Sequence, residues 1–398
     1  MSSSLRFLCC GTALAALLIA ADGASAEERA DWLGRMDALS GTLTRVFVNV
    51  LPAGKKRSAA EDKALIEDAK KLAALAKAVH ALGPASPAGQ PGMGLAPDSD
   101  PSLALIAQLF VNETDRIVRA VERGQTRRAR DLAAGTAQFC IGCHTRSDRL
   151  RGLVPPPAAA DLSALHPLDR AELYLATHRF DEAKRELDLL LANDRFAQDD
   201  LVGWQRAVTR SLVLEVRSAR SPDGALALVE RILNGPVPAE QHWADADGWQ
   251  KSLRAWKKEG TSKPSGTGAA LREARRLIDE AEAVPRVPGD RSADVLYLRA
   301  TSLLHDALAE EPRGVAAARA FALLAVGYRR LRDVEVWSLS RLYDEACIRQ
   351  APNTDLAREC WERYAAEVRE QDSDKKGRLP PETEEHLRAL GKLAGSVR

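Results

Sequence analysis

"AELYLATHRFDEAKRELDLLL", residues 171–191, repeats apolar side chains at intervals of three and four: Ala171, Tyr174, Phe180, Ala183, Leu187 and Leu190. That period lines up side chains on one face of an α-helix. The stretch reads as two helices joined by a short turn. Outward from it, nearly every ordered segment keeps the helical period rather than the alternation of a strand, so the chain reads as all-α.

Three stretches rich in Pro, Gly and Ser interrupt the pattern, at residues 83–101, 152–161 and 259–268. Pro155, Pro156 and Pro157 cannot continue a helix and favour an extended spacer, so 152–161 is read as a linker between two domains. Upstream, over 27–151, four amphipathic stretches fall at about 28–51, 58–82, 101–124 and 126–149. Trp32, Met36, Leu39, Leu43, Val46, Phe47 and Val50 stripe the first; Ile66, Ala69, Leu72, Ala73, Ala76 and Val79 the second; Ile106, Leu109, Phe110, Ile117 and Val121 the third. Four helices of similar length suggest an antiparallel four-helix bundle. Downstream, over 162–370, paired helices prevail. The spacing in 171–191 resembles one tetratricopeptide repeat, and a looser pair spans 321–352. The resemblance implies a degenerate, TPR-like helical-repeat array; an irregular α-helical domain is the alternative. Residues 371–398 read as a charged linker and a C-terminal helix.

The first 26 residues carry Arg6, an apolar run from Phe7 to Ala21 and the small trio Ala24-Ser25-Ala26. This is the pattern of a signal peptide cleaved after Ala26, which implies a periplasmic or otherwise exported protein without a membrane anchor. Cys9 and Cys10 leave with that segment, and Cys140, Cys143, Cys347 and Cys360 stay. The net charge of +1, from 57 basic and 56 acidic side chains, gives no field of one sign and argues against a nucleic-acid partner.

"FCIGCHTR", residues 139–146, carries the chemistry. In C-x-x-C-H, two thiols add across the vinyl groups of a haem and the adjacent imidazole becomes an iron ligand; Cys140, Cys143 and His144 therefore predict one covalent haem c. A redox dithiol belongs beside a βαβ pattern, which this chain lacks, and a zinc site needs further ligands at metal spacing.

With the motif near the end of a fourth helix, residues 27–151 resemble the class II cytochromes c, the family of cytochrome c-prime. The resemblance implies a bundle around one haem with His144 proximal, and many relatives dimerise through bundle helices, so a homodimer is among the expected states. The family often has an arginine four residues after the histidine; here Asp148 stands there, between Arg146 and Arg149. Low-spin members take a methionine of the first helix as sixth ligand. Met36 fits: about ten residues into its helix, in an up-down-up-down bundle it comes level with Cys140, about ten from the end of its own. Ordinary core packing is the alternative for Met36; the family's arginine one turn earlier is Trp32 here, and Met93 lies in a Gly/Pro-rich loop. His80, near the end of the second helix, is the competing distal ligand, and an open sixth site is the third alternative.

His166, His178, His242, His305 and His386 lack metal-like spacing and read as surface or core residues. Cys347 and Cys360 flank the turn at Pro352-Asn353 at similar height, which suits a disulfide; two buried thiols are the alternative. No nucleophile triad, phosphate loop or carboxylate pair stands out, so no enzyme is expected. The expected function is one-electron transfer, with the repeat domain docking a redox partner. A gas-binding haem protein with an open site and an interaction adaptor with a structural haem are the alternatives.

Overall fold

Short polar side chains start several of the helices. A computed structural model describes residues 26–52, 54, 57–81, 100–146, 161–235, 240–284, 289–331, 339–374 and 376–396. Residues 1–25 of the expected signal peptide, Met93, Asp148, Arg149 and the triproline lie outside the described residues, as do the side chains of Trp32 and His80. Ser58 and Glu61 form a reciprocal capping box, Glu61 accepting from the Ser58 amide at 2.7 Å while the Glu61 amide donates to the Ser58 hydroxyl at 3.3 Å. Asp100 precedes Pro101 and accepts from the Ser102 amide at 3.0 Å. Asp200, Ser221 and Thr354 cap in the same way.

Sixteen α-helices result among the described residues: α1 Ala26–Val50, α2 Ala59–Ala81, α3 Pro101–Glu122, α4 Thr126–His144, α5 Pro167–Ala176, α6 Phe180–Leu191, α7 Phe196–Asp199, α8 Leu201–Val213, α9 Pro222–Asn234, α10 Glu240–Glu259, α11 Thr267–Glu282, α12 Asp294–Glu310, α13 Gly314–Arg330, α14 Ser340–Gln350, α15 Asp355–Asp372 and α16 Pro381–Ala394. These residues contain no strand, so the fold is all-α. A π-helical turn, Leu214–Ser218, prolongs α8 and carries Arg217, which is fully buried and donates to the Thr301 hydroxyl at 3.0 Å.

In the first half α1 packs on α2, α2 on α3, α3 on α4 and α4 back on α1. Leu43, Val46, Phe47, Leu72, Ile117, Ala133 and Ile141 fill the middle. This core does not stop at the Pro-rich segment: Leu165, Leu173, Leu175, Phe180 and Ala183, from residues before and within α5 and α6, belong to it. Other residues of the same hairpin, Leu168, Ala171, Leu187 and Leu190, belong to a second core that runs through to α16. In that second half neighbouring helices pair, α5 with α6, α11 with α12, α13 with α14 and α14 with α15.

One boundary differs from the sequence expectation. Helix α4 ends at His144, not near 149. The Thr145 amide and hydroxyl both bond the carbonyl of Ile141, at 3.0 and 2.8 Å, and Arg146 Nε reaches back to the carbonyl of Gly142 at 2.8 Å. Orphan carbonyls of the last turn are thereby satisfied, and the helix has no need to continue.

Cys347 on α14 and Cys360 on α15 are joined by a disulfide, with their Cα atoms 6.4 Å apart. Closing a loop of 13 residues stabilises by about 3 kcal/mol in the chain-entropy model. Reduction should cost a comparable amount in denaturant titrations. A thiol reagent added to the unreduced, denatured chain should label neither residue; labelling of both would remove the staple.

Candidate functional site

Helix α4 buries Ala129, Leu132, Ala133, Thr136, Ala137, Ile141 and His144, a face spaced at three and four. Cys140 and Cys143 lie at half-buried positions in its last turns, neither of them in a disulfide. The setting of Cys140 disfavours charge: burial, and then the neighbouring Cys143, pushes its thiol up to about 12. A thiolate nucleophile or metal ligand needs the opposite shift. A neutral thioether needs none.

The motif histidine ends the same helix. His144 is buried and its Nδ1 has no hydrogen-bond partner. Burial, and then the adjacent His178, hold its imidazole well below the ordinary range, offset in part by the backbone of Ala176 and Leu175. The ring is neutral, the form in which imidazole ligates a metal. Among the described residues no three His, Cys, Asp or Glu side chains converge on a protein-only metal site.

His178 was not legible as a site residue. The rings of His144 and His178 are in contact, with centroids 3.8 Å apart and planes 41° apart. His178 is carried by the turn between α5 and α6, where the Arg179 amide bonds the Tyr174 carbonyl at 2.8 Å and closes the end of α5. The residue between that helix end and Arg179 takes left-handed backbone, φ 59° for His178. Glycine adopts this freely, whereas a residue with a Cβ pays about 1 kcal/mol or more. The ring is half-buried, its Nδ1 is unpartnered, and burial pushes its pKa down to about 4.

The candidate distal ligands fare differently. Met36 is half-buried and packs, like Phe139 and Cys140, against the first core. Cys140 is four residues from the end of α4, and Met36 lies ten residues into α1.

Behind the motif lies a buried polar junction. Arg146 Nη1 donates to Asp100 Oδ2 at 2.9 Å, and Tyr343 of α14 donates to Asp100 Oδ1 at 3.0 Å. His305 of α12 sets Nδ1 3.0 Å from Asp100 Oδ2 and Nε2 2.7 Å from the Tyr328 hydroxyl. Burial would raise the Asp100 pKa, but Arg146 and His305 hold it well below the usual carboxylate range. Arg146 is thus committed to Asp100 and not held ready for a second anion.

His305 gives a pH prediction. Burial lowers its pKa to about 4 against the pull of Asp100, whose charge Arg146 already balances. The folded protein keeps the ring neutral while the unfolded chain protonates it below about 6.5. Stability from this group is therefore complete above pH 6.5, falls as pH drops from 6.5 to 4, and levels off below; the loss is up to about 3 kcal/mol. Asp344, raised to about 6 mainly by burial, slopes the other way, so the measurement is the difference between wild type and His305→Gln across that window. Equal pH dependence in the two would overturn the assignment.

A cavity of about 720 Å³ lies apart from the motif, lined by Trp256, Glu259, Lys263, Arg276 and Arg299 among others. Its cations face carboxylates, Arg276 at 2.7 Å from Glu273, Arg299 at 3.0 Å from Glu259 and Lys263 at 2.8 Å from Asp306. The unusual chemistry of the chain is at the end of α4. No described helix is long and apolar enough to cross a membrane. Compared with protein-family models, curated proteins and solved structures, the chain matches none.

Proposed function

We propose that the chain is an exported monohaem c-type cytochrome: α1–α4 form a four-helix bundle of the class II kind, Cys140 and Cys143 hold one haem covalently, and His144 is its proximal iron ligand. The observation that carries this reading is the chemistry of the donor set. Two cysteines outside any disulfide, with burial penalising the thiolate at Cys140, sit four and one residues before a buried imidazole with an unspent nitrogen. Each thiol can add across a vinyl double bond, the S–C bond forming as the thiol hydrogen passes to the other vinyl carbon, so neither sulfur is oxidised. The thioethers carry no charge into the half-buried wall.

When bound, the haem supplies a one-electron couple. The chain's part is to fix it through two covalent points, to present His144 neutral and to keep water from the buried face of α4. The second half, read as a TPR-like helical-repeat array, anchors the end of α4 and offers a surface for a redox partner protein.

Absorption spectra of the purified protein, oxidised and reduced, with and without carbon monoxide, test the reading. A covalent haem that stays low-spin and excludes carbon monoxide supports electron transfer. A high-spin haem that takes up carbon monoxide readily would move the function to gas binding, and a colourless protein would end the haem reading.

A further inference from the structure

We propose that the corner between α3 and α4 is a docking surface for the phosphate headgroups of an anionic lipid bilayer. The inference rests on the surface of the bundle and not on the haem reading. Residues 116–131 hold six arginines against two carboxylates, Glu122 and Asp131, although the whole chain is nearly neutral. Arg116, Arg119 and Arg123 are exposed and follow at intervals of three and four, so they run down one outer face of α3 to its end. Arg127 and Arg128, exposed in the first turn of α4, follow directly round the turn.

The acidic side chains nearby leave most of this charge unbalanced. Glu113 is bonded to Arg116 at 2.7 Å, and Glu122 is taken by Lys70 at 3.3 Å. Among the described residues Arg119, Arg123, Arg127 and Arg128 have no carboxylate partner, and Asp131, exposed one turn into α4, pairs with none of them. Helix electrostatics accounts for only part of the cluster. Arg119 and Arg123 suit the negative end of α3, whereas Arg127 and Arg128 stand against the positive end of α4, whose first turn has no acidic residue.

A specific protein partner is met at a patch with an apolar centre. The large apolar side chains exposed among the described residues, Leu189, Leu201, Val202, Trp243 and Val315, all belong to the second half of the chain. A convex corner that attracts by charge alone suits a bilayer, whose phosphates are dense and accept two parallel bonds from each guanidinium. The C-x-x-C-H motif is at the other end of α4: His144 stands sixteen residues beyond Arg128, about 24 Å along the helix, and is left free when the corner is held.

The test uses the full-length secreted protein, sedimented with vesicles of phosphatidylcholine alone or of equal parts phosphatidylcholine and phosphatidylglycerol. Wild type should bind only the mixed vesicles, and less as salt rises. Replacing Arg119, Arg123, Arg127 and Arg128 together by glutamine should weaken binding about fivefold for each arginine removed. The variant should melt as wild type does, because none of the four holds a carboxylate among the described residues. A control removes the same charge from exposed positions in the second half, as Lys251→Gln, Arg275→Gln, Arg358→Gln and Arg388→Gln, and should bind like wild type. Equal binding to both kinds of vesicle, no binding to either, or the same loss in both variants overturns the proposal. Capture of soluble polyglutamate without capture of the mixed vesicles overturns it in favour of an acidic protein surface.

Discussion

Replacing Cys140 and Cys143 together by serine should leave a polypeptide that retains no haem after denaturation, against one haem per chain in wild type. Each single variant should keep one thioether and still stain. The serine hydroxyl cannot add to a vinyl group under the conditions in which a thiol does, so the loss is of the bond and not merely of affinity. Local stability should change little, because both positions are half-buried and serine is close to cysteine in size. Global stability should fall more: a group attached to the folded chain and contacting its core acts as a ligand that cannot dissociate, and ligands of the native state alone stabilise it by mass action. The clean readout is the mass of the intact denatured chain. A double-serine protein that still carries the added mass would refute attachment at these thiols; a wild type that lacks it would refute the haem itself.

Much of this arrangement is legible in the sequence because it is local. Helices α1, α2 and α3 fall within a residue or two of their expected ranges, since apolar period and caps such as Ser58-Ala-Ala-Glu61 and Asp100-Pro101 are written in neighbouring residues. The end of α4 is not, because Thr145 and Arg146 stop it through bonds to Ile141 and Gly142 that no breaker residue announces. The triproline suggests a boundary, yet the first core continues through Leu173 and Phe180, an effect of which face of α5 meets α4. His178 stands thirty-four residues from His144 and shares no motif with it; only tertiary packing makes them neighbours. The one local signal was a histidine in a helix-ending turn that would suit glycine.

Asp100→Ala should be among the most destabilising single substitutions in the chain. The carboxylate caps α3 and accepts from Arg146, Tyr343 and the Ser102 amide, with all of these groups buried. Removing it strands the Arg146 guanidinium, which is 4% exposed, in a low-dielectric junction. Stranding one member of a buried ion pair costs about 3–5 kcal/mol, and losing the cap adds about 1 kcal/mol. Asp100→Asn separates the two, since asparagine caps as well as aspartate but cannot balance the charge; it should lose most of the ion-pair part and little of the cap. Arg146→Met alone strands the carboxylate instead, and Asp100→Ala with Arg146→Met should cost less than the two single losses added, because neither charge then remains unpaired. Strict additivity, or a loss below about 1 kcal/mol in Asp100→Ala, would show the junction to be solvated and incidental. The consequence reaches the motif: Arg146 follows His144 by two residues and ties the end of α4 to α12 and α14 through Asp100. In the proposed cytochrome this junction holds the proximal histidine in place from behind, so Asp100→Asn should broaden the haem spectrum even where the covalent attachment is complete.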